Sequence, residues 1–121
     1  MNLFLLKNLK IKELPIYFSL IFTFLFVTSA SAQDGKALFG QNCASCHHPA
    51  KVITGPGLQG AKEKWEKAGD DIYAWVKDPD AQIAAGVPSA VAIKDFHATN
   101  MTPQSVSNEE IDAIFKYVDE W

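Results

Sequence analysis

The chain has 121 residues, 48% of them hydrophobic and 21% charged, which suits one modest globular domain and excludes a wholly disordered chain. All eleven basic residues are Lys, and the formal net charge is −3. A nucleic-acid binder needs a basic face to displace counterions, so this balance argues against that class.

Residues 1–32 differ from the rest. They hold five of the eight Phe and three Lys but a single acid, Glu13. Lys7, Lys10 and Lys12 form a basic start, and Ile16 to Val27 is an almost continuous apolar run. Ser29-Ala30-Ser31-Ala32 then offers small residues for cleavage, which completes the pattern of a secretory signal peptide. The run is shorter than the roughly 18–20 apolar residues that span a bilayer as a helix. An uncleaved N-terminal anchor is the alternative. Cleavage after Ala32 leaves residues 33–121 as one domain, in which eight Lys face thirteen acids and no second apolar run follows. The expectation is an exported, periplasmic monomer that does not span the membrane. Its acidity suits a partner with a basic docking patch.

Asp34 to Cys46 reads as a helix with Asp34 as its cap. Leu38, Phe39, Cys43 and Cys46 share one face at spacings of three and four. Residues 48–60 read as a loop, punctuated by Pro49, Gly55-Pro56-Gly57 and Gly60. Ala61–Lys67 is a short charged helix, and Asp70–Lys77 is another, stopped by Pro79. Residues 79–106 carry Pro79, Gly86, Pro88, Asn100 and Pro103 and read as irregular. The last helix opens on a capping box, with Ser107 at the cap and Glu110 three residues on. Ile111, Ile114, Phe115 and Val118 follow as an apolar stripe, with Tyr117 beside it. No segment alternates as a strand, so the fold class is all-α.

The chemistry is concentrated in Cys43-Ala44-Ser45-Cys46-His47. Cys-x-x-Cys alone is compatible with a redox dithiol, half of a zinc site or a short disulfide. Zinc needs about four ligands, and beyond Cys43, Cys46 and His47 only His48 or His97 is available. A thioredoxin-like motif needs a strand–helix–strand context that is not visible. The His directly after the second Cys points instead to c-type haem attachment. Two Cys on one helical face can each add across a haem vinyl group, and the next imidazole then points at the iron from the same side. One haem c per chain is the expected cofactor.

Met101, the single Met after Ala32, is the candidate second iron ligand. It lies in an irregular Asn-Met-Thr-Pro loop with no helical face to join, and His/Met ligation raises the reduction potential. His97 is its rival. His48 neighbours His47 and cannot easily reach the opposite haem face, so it reads as a solvated or propionate-side residue. A ligating imidazole gives its other N–H to a carbonyl. Pro56 cannot donate, but its carbonyl can accept; a plain loop turn is the equal alternative there.

In these residues the chain resembles the class I single-haem cytochromes c. Gly35, Phe39, Cys43, Cys46 and His47 look like the family's first helix running into its haem motif. Gly55-Pro56-x-Leu58 looks like the loop whose proline carbonyl holds the haem-ligating His. Tyr73 to Pro79 looks like the helix whose aromatic residue, here Trp75, approaches the haem. Met101-Thr102-Pro103 looks like the axial Met loop, and Ile114 and Tyr117 look like the residues that pack on Gly35 and Phe39. The resemblance implies three to five short helices around one haem, with the first and last packed together. It implies cofactor contacts from Cys43, Cys46, His47, Met101, Pro56, Leu58 and Trp75, with His47 and Met101 on the iron. It also implies a one-electron carrier, not an enzyme, working between a quinol-oxidising complex and a terminal oxidase or reductase.

Two features depart from the family pattern. Thr102 intervenes between Met101 and Pro103, and the segment from Pro79 to Met101 is longer than in compact members. Ile83, Val87, Val91, Ile93 and Phe96 in that segment are candidates to cover a haem edge or a propionate. Two other functions stay open: a gas sensor or small peroxidase with a labile sixth ligand, and a subunit docked to a larger oxidoreductase.

Overall fold

In the computed structural model, which describes residues 33–121, the Asp34 carboxylate accepts the Ala37 N–H at 3.1 Å and starts helix α1, Gly35–Asn42. The leader expected over residues 1–32 lies outside the described residues. Helix α1 is shorter than the expected Asp34–Cys46. The backbone leaves helical geometry at Cys43 (φ −124°), where the Phe39 carbonyl receives the N–H groups of both Cys43 and Ala44 at 2.9 Å. The haem motif therefore continues as a tight turn, with the His47 N–H returning to the Cys43 carbonyl at 2.9 Å.

Helix α2, Ala61–Ala68, ends on Gly69 in the left-handed region at φ 77°. The Asp70 N–H reaches back to the Trp65 carbonyl at 3.0 Å and satisfies one of the orphan acceptors of the last turn. Helix α3, Ile72–Lys77, is capped by Asp71, which accepts from Tyr73 and Ala74 at 2.9 and 3.1 Å.

The region expected to be irregular contains two helices. They are α4, Pro79–Ala84, and α5, Pro88–Ile93. Both prolines stand at a helix start, where the missing N–H has no intrahelical partner to lose. Asp78 caps α4 through the Ala81 N–H at 3.0 Å. For α5 the acceptor comes from elsewhere: Asp70 takes the Ser89 N–H at 2.9 Å. The described residues thus form six helices, above the expected three to five, and no strand. The sixth, α6, spans Asn108–Asp119, and both bonds of its capping box form, at 2.8 and 3.2 Å.

Helices α1 and α6 pack closely at Gly35. A Cβ on Gly35 would lie 2.0 Å from the Ala113 carbonyl oxygen, so a side chain there is excluded. Phe39 and Tyr117 follow at 5.7 Å between ring centres, and Phe39, Ile114 and Val118 are buried together. A second cluster gathers Trp65, Ile72, Trp75, Ala90, Ile111 and Phe115 from four helices, α2, α3, α5 and α6. Leu58 packs against both clusters and anchors the 48–60 loop in the core. On the surface, Lys62 of α2 pairs with Asp112 of α6, and the Tyr73 hydroxyl donates to the same carboxylate at 2.7 Å. These bonds hold the Asp112 carboxyl below its ordinary pKa and raise that of Lys62. Exposed pairs of this kind fix orientation more than they stabilise. Among the described residues no helix is long and apolar enough to cross a membrane.

Candidate functional site

A cleft of about 450 Å³ lies between the haem-motif turn, the 54–61 loop, helices α2, α3 and α6, and the 93–104 segment. Its walls are mostly apolar, the usual character of a cofactor pocket. Cys43, Cys46, His47, Pro56, Leu58, Trp75 and Met101, separated by up to 58 positions in sequence, all line it.

The two sulfurs differ in setting. Cys46 is exposed, whereas Cys43 is half-buried and burial pushes its thiol up to about 11. Among the described residues no three His, Cys, Asp or Glu side chains converge as a metal site requires, which counts against the zinc alternative.

His47 is fixed from behind. Its Nδ1 lies 2.9 Å from the Pro56 carbonyl oxygen. A carbonyl only accepts, so Nδ1 carries the hydrogen and the Nε2 of the neutral ring keeps its lone pair. Gly55 makes the approach possible: a Cβ there would stand 2.4 Å from His47 Cε1 and 2.7 Å from Nδ1. The Gly55 N–H also donates to the Cys46 carbonyl at 2.7 Å, which ties the loop to the haem motif. His48 takes the opposite tautomer. Its Nδ1 accepts from the Ala50 and Lys51 N–H groups at 3.1 and 3.2 Å, and its ring meets Trp121 edge-on at 4.7 Å. It stays off the cleft wall and braces the loop, so a propionate-side place for it finds no support.

Met101 is half-buried against the cluster that contains Trp65 and Trp75. Its loop is anchored on both sides. Asn100 donates to Asp80 of α4 at 2.8 Å, and the Gln104 N–H donates to the Val76 carbonyl of α3 at 3.1 Å. The Gln104 amide then folds back onto the Thr102 carbonyl at 2.9 Å, so Thr102 is held inside the loop. His97 also lines the cleft, but it is exposed, and its Nδ1 contacts only Thr99 of its own loop at 3.3 Å. Ile93 and Phe96 from the long segment line the cleft as well, while Val91 turns outward and is 41% exposed.

Trp65 is a site residue that the sequence reading passed over. It is 6% exposed, lines the cleft and packs on Trp75 at 5.3 Å. The available signal was one large apolar residue in an otherwise charged helix, in register with Ala61 four residues before.

The cytochrome c family profile matches residues 32–121, and the chain belongs to the cytochrome c family. Members carry covalently bound haem c and use it in electron transfer, and the cleft fits that group: an apolar wall, two paired sulfurs and an imidazole with its lone pair free. The chain is similar to a cytochrome c from Rhodothermus marinus, with 26% identity over 78% of this chain and 81% of that one, at a TM-score of 0.60. It shares the fold of the cytochrome c domain of a Pseudomonas putida protein, with 24% identity over 71% and 85% of the two chains, at a TM-score of 0.55. A third relative is the cytochrome c oxidase subunit 2 of Bacillus sp. strain PS3, 26% identical. The alignment takes in 76% of this chain but spans about a quarter (26%) of that subunit's length.

Proposed function

We propose that residues 33–121 form an exported one-electron carrier, in which Cys43 and Cys46 hold one haem c by thioether bonds and His47 Nε2 and Met101 Sδ fill both axial positions of the iron. The bound haem supplies the one-electron couple. The observation that carries the proposal is the pairing of two prepared donors on one cleft: an imidazole oriented by the Pro56 carbonyl and a thioether whose loop is pinned to α3 and α4. With both positions filled by protein there is no open site for a substrate, so the protein is a carrier and not an enzyme. Trp75, Ile111 and Phe115 keep the cleft interior apolar, which limits solvent reorganisation when charge changes. Thioether ligation favours the reduced metal more than imidazole would, so His/Met ligation gives a higher potential than two imidazoles would. The signal-peptide pattern of residues 1–32 supports a periplasmic place, with a quinol-oxidising complex and a terminal oxidase or reductase as partners.

The likeness to an oxidase subunit supports a second reading, in which the domain delivers electrons while docked to a larger oxidoreductase. Sedimentation of the protein with or without its source membranes separates the two. The ligand assignment is tested by Met101→Ala and His97→Ala. Met101→Ala opens the sixth position to carbon monoxide and lowers the potential, and His97→Ala leaves spectrum and potential nearly unchanged. The reverse pattern makes His97 the ligand.

A further inference from the structure

His48 follows the proposed iron ligand in the chain but does not line the cleft. It is half-buried, and its side chain does what an Asn or Asp does in a turn. Its Nδ1 accepts the N–H groups of Ala50 and Lys51, two and three residues on, at 3.1 and 3.2 Å. The two bonds fix the backbone of residues 48–51, and Trp121, just past α6, meets the ring edge-on at 4.7 Å.

The 48–51 turn is the support on which the 55–59 segment rests. Pro49 is buried, and its carbonyl accepts from the Leu58 and Gln59 N–H groups at 2.8 and 2.9 Å. The Leu58 N–H also reaches the His48 carbonyl at 3.3 Å. A Cβ on Gly57 would lie 2.9 Å from the Ala50 carbonyl carbon and 3.2 Å from the Lys51 nitrogen, so backbone meets backbone there. Pro56 therefore stands between two glycines, Gly55 seated on the His47 ring and Gly57 on the turn that His48 holds. Its carbonyl ends that chain of contacts, 2.9 Å from His47 Nδ1.

We infer that His48 is a positioning residue for the iron ligand: by accepting the Ala50 and Lys51 N–H groups it sets the Pro56 carbonyl against His47 Nδ1 and so tunes the reduction potential, an inference that rests on His47 as the ligand proposed above. A hydrogen bond from Nδ1–H to a carbonyl makes the imidazole more basic and favours the oxidised iron. Without the acceptor on residue 48, the two N–H groups turn to water and the turn loosens. The bond to His47 Nδ1 then weakens and the potential rises.

The experiment compares the holoprotein with His48→Phe, His48→Asn, Gly57→Ala and Ser107→Ala. For each it records the reduction potential, the solvent exchange of the His47 Nδ1 proton by NMR of the reduced protein, and the visible spectrum. His48→Phe keeps an aromatic ring for Trp121 but removes the acceptor. It raises the potential by up to about 60 mV, a tenfold loss of preference for oxidised iron in a one-electron couple, and speeds the proton exchange. His48→Asn puts an oxygen one bond beyond Cγ, where Nδ1 stood, and keeps the parent's values. Gly57→Ala presses on Ala50 and Lys51 from the other side and shifts the potential in the same direction as His48→Phe. Ser107→Ala weakens the start of α6, away from both loops, and leaves the potential unchanged. Parent values in His48→Phe overturn the proposal, as does a shift in His48→Asn or Ser107→Ala equal to that in His48→Phe. Should His48→Phe not load haem, Gly57→Ala decides, and an unchanged potential there overturns the proposal. A parent without covalent haem overturns the underlying reading instead, so the two failures are distinct.

Discussion

Gly55 and Pro56 are neighbours with opposite tolerances. Pro56 acts through its backbone carbonyl, which every residue has, so Pro56→Ala keeps the bond to His47 Nδ1 and changes the spectrum little. Gly55 acts through the absence of a side chain. A methyl group 2.4 Å from His47 Cε1 and 2.7 Å from Nδ1 cannot coexist with the ring, and on its other side stands the Cys46 carbonyl oxygen at 3.1 Å, a backbone atom that cannot yield cheaply. Gly55→Ala therefore displaces the imidazole and, with His47 as the proposed iron ligand, gives a high-spin component in the visible spectrum. A native low-spin spectrum in that variant would show that the ring has room the structure denies it.

At the scale of elements, the α1–α6 crossing is the tightest constraint in the fold. Gly35→Leu must separate the helices or bend α1, because the Ala113 carbonyl stands where the new Cβ would go. Overpacking at such a contact costs about 3 kcal/mol, enough to lower the midpoint of thermal unfolding by several degrees in a domain this small. Unchanged melting would remove the crossing from the account. This contact was legible beforehand because a glycine at a helix start and Tyr117 on the last helix matched a known pattern. The capping box before α6 was legible because its residues act within one turn. The end of α1 was not: nothing in Cys43-Ala44-Ser45-Cys46 breaks a helix by propensity, and the shared Phe39 carbonyl shows only in three dimensions. Helices α4 and α5 escape a local reading because proline, a breaker inside a helix, here begins one at both Pro79 and Pro88. The partner that satisfies α5, the Asp70 carboxylate, lies 19 positions away from Ser89, beyond any local reading. The site motif was legible as a spacing, whereas the part played by Trp65 depended on packing against Trp75.

For the whole molecule the cofactor is part of the core. The cleft of about 450 Å³ reaches buried Trp65, Trp75, Ile111 and Phe115. Without the cofactor this apolar wall would face water, an exposure that a domain with so small a core can ill offset. The double variant Cys43→Ala, Cys46→Ala therefore loses covalent haem and much of its helical circular dichroism, and a cooperatively folded apo-protein would contradict this. The central claim is that both axial positions are filled by the protein's own side chains, and it is tested most directly by the visible spectrum of the reduced protein before and after carbon monoxide. The account predicts two superimposable spectra at neutral pH. A prompt shift of the haem bands on adding the gas would mean a vacant or labile sixth position, and the protein would then be a ligand-binding haem protein instead of a closed electron carrier.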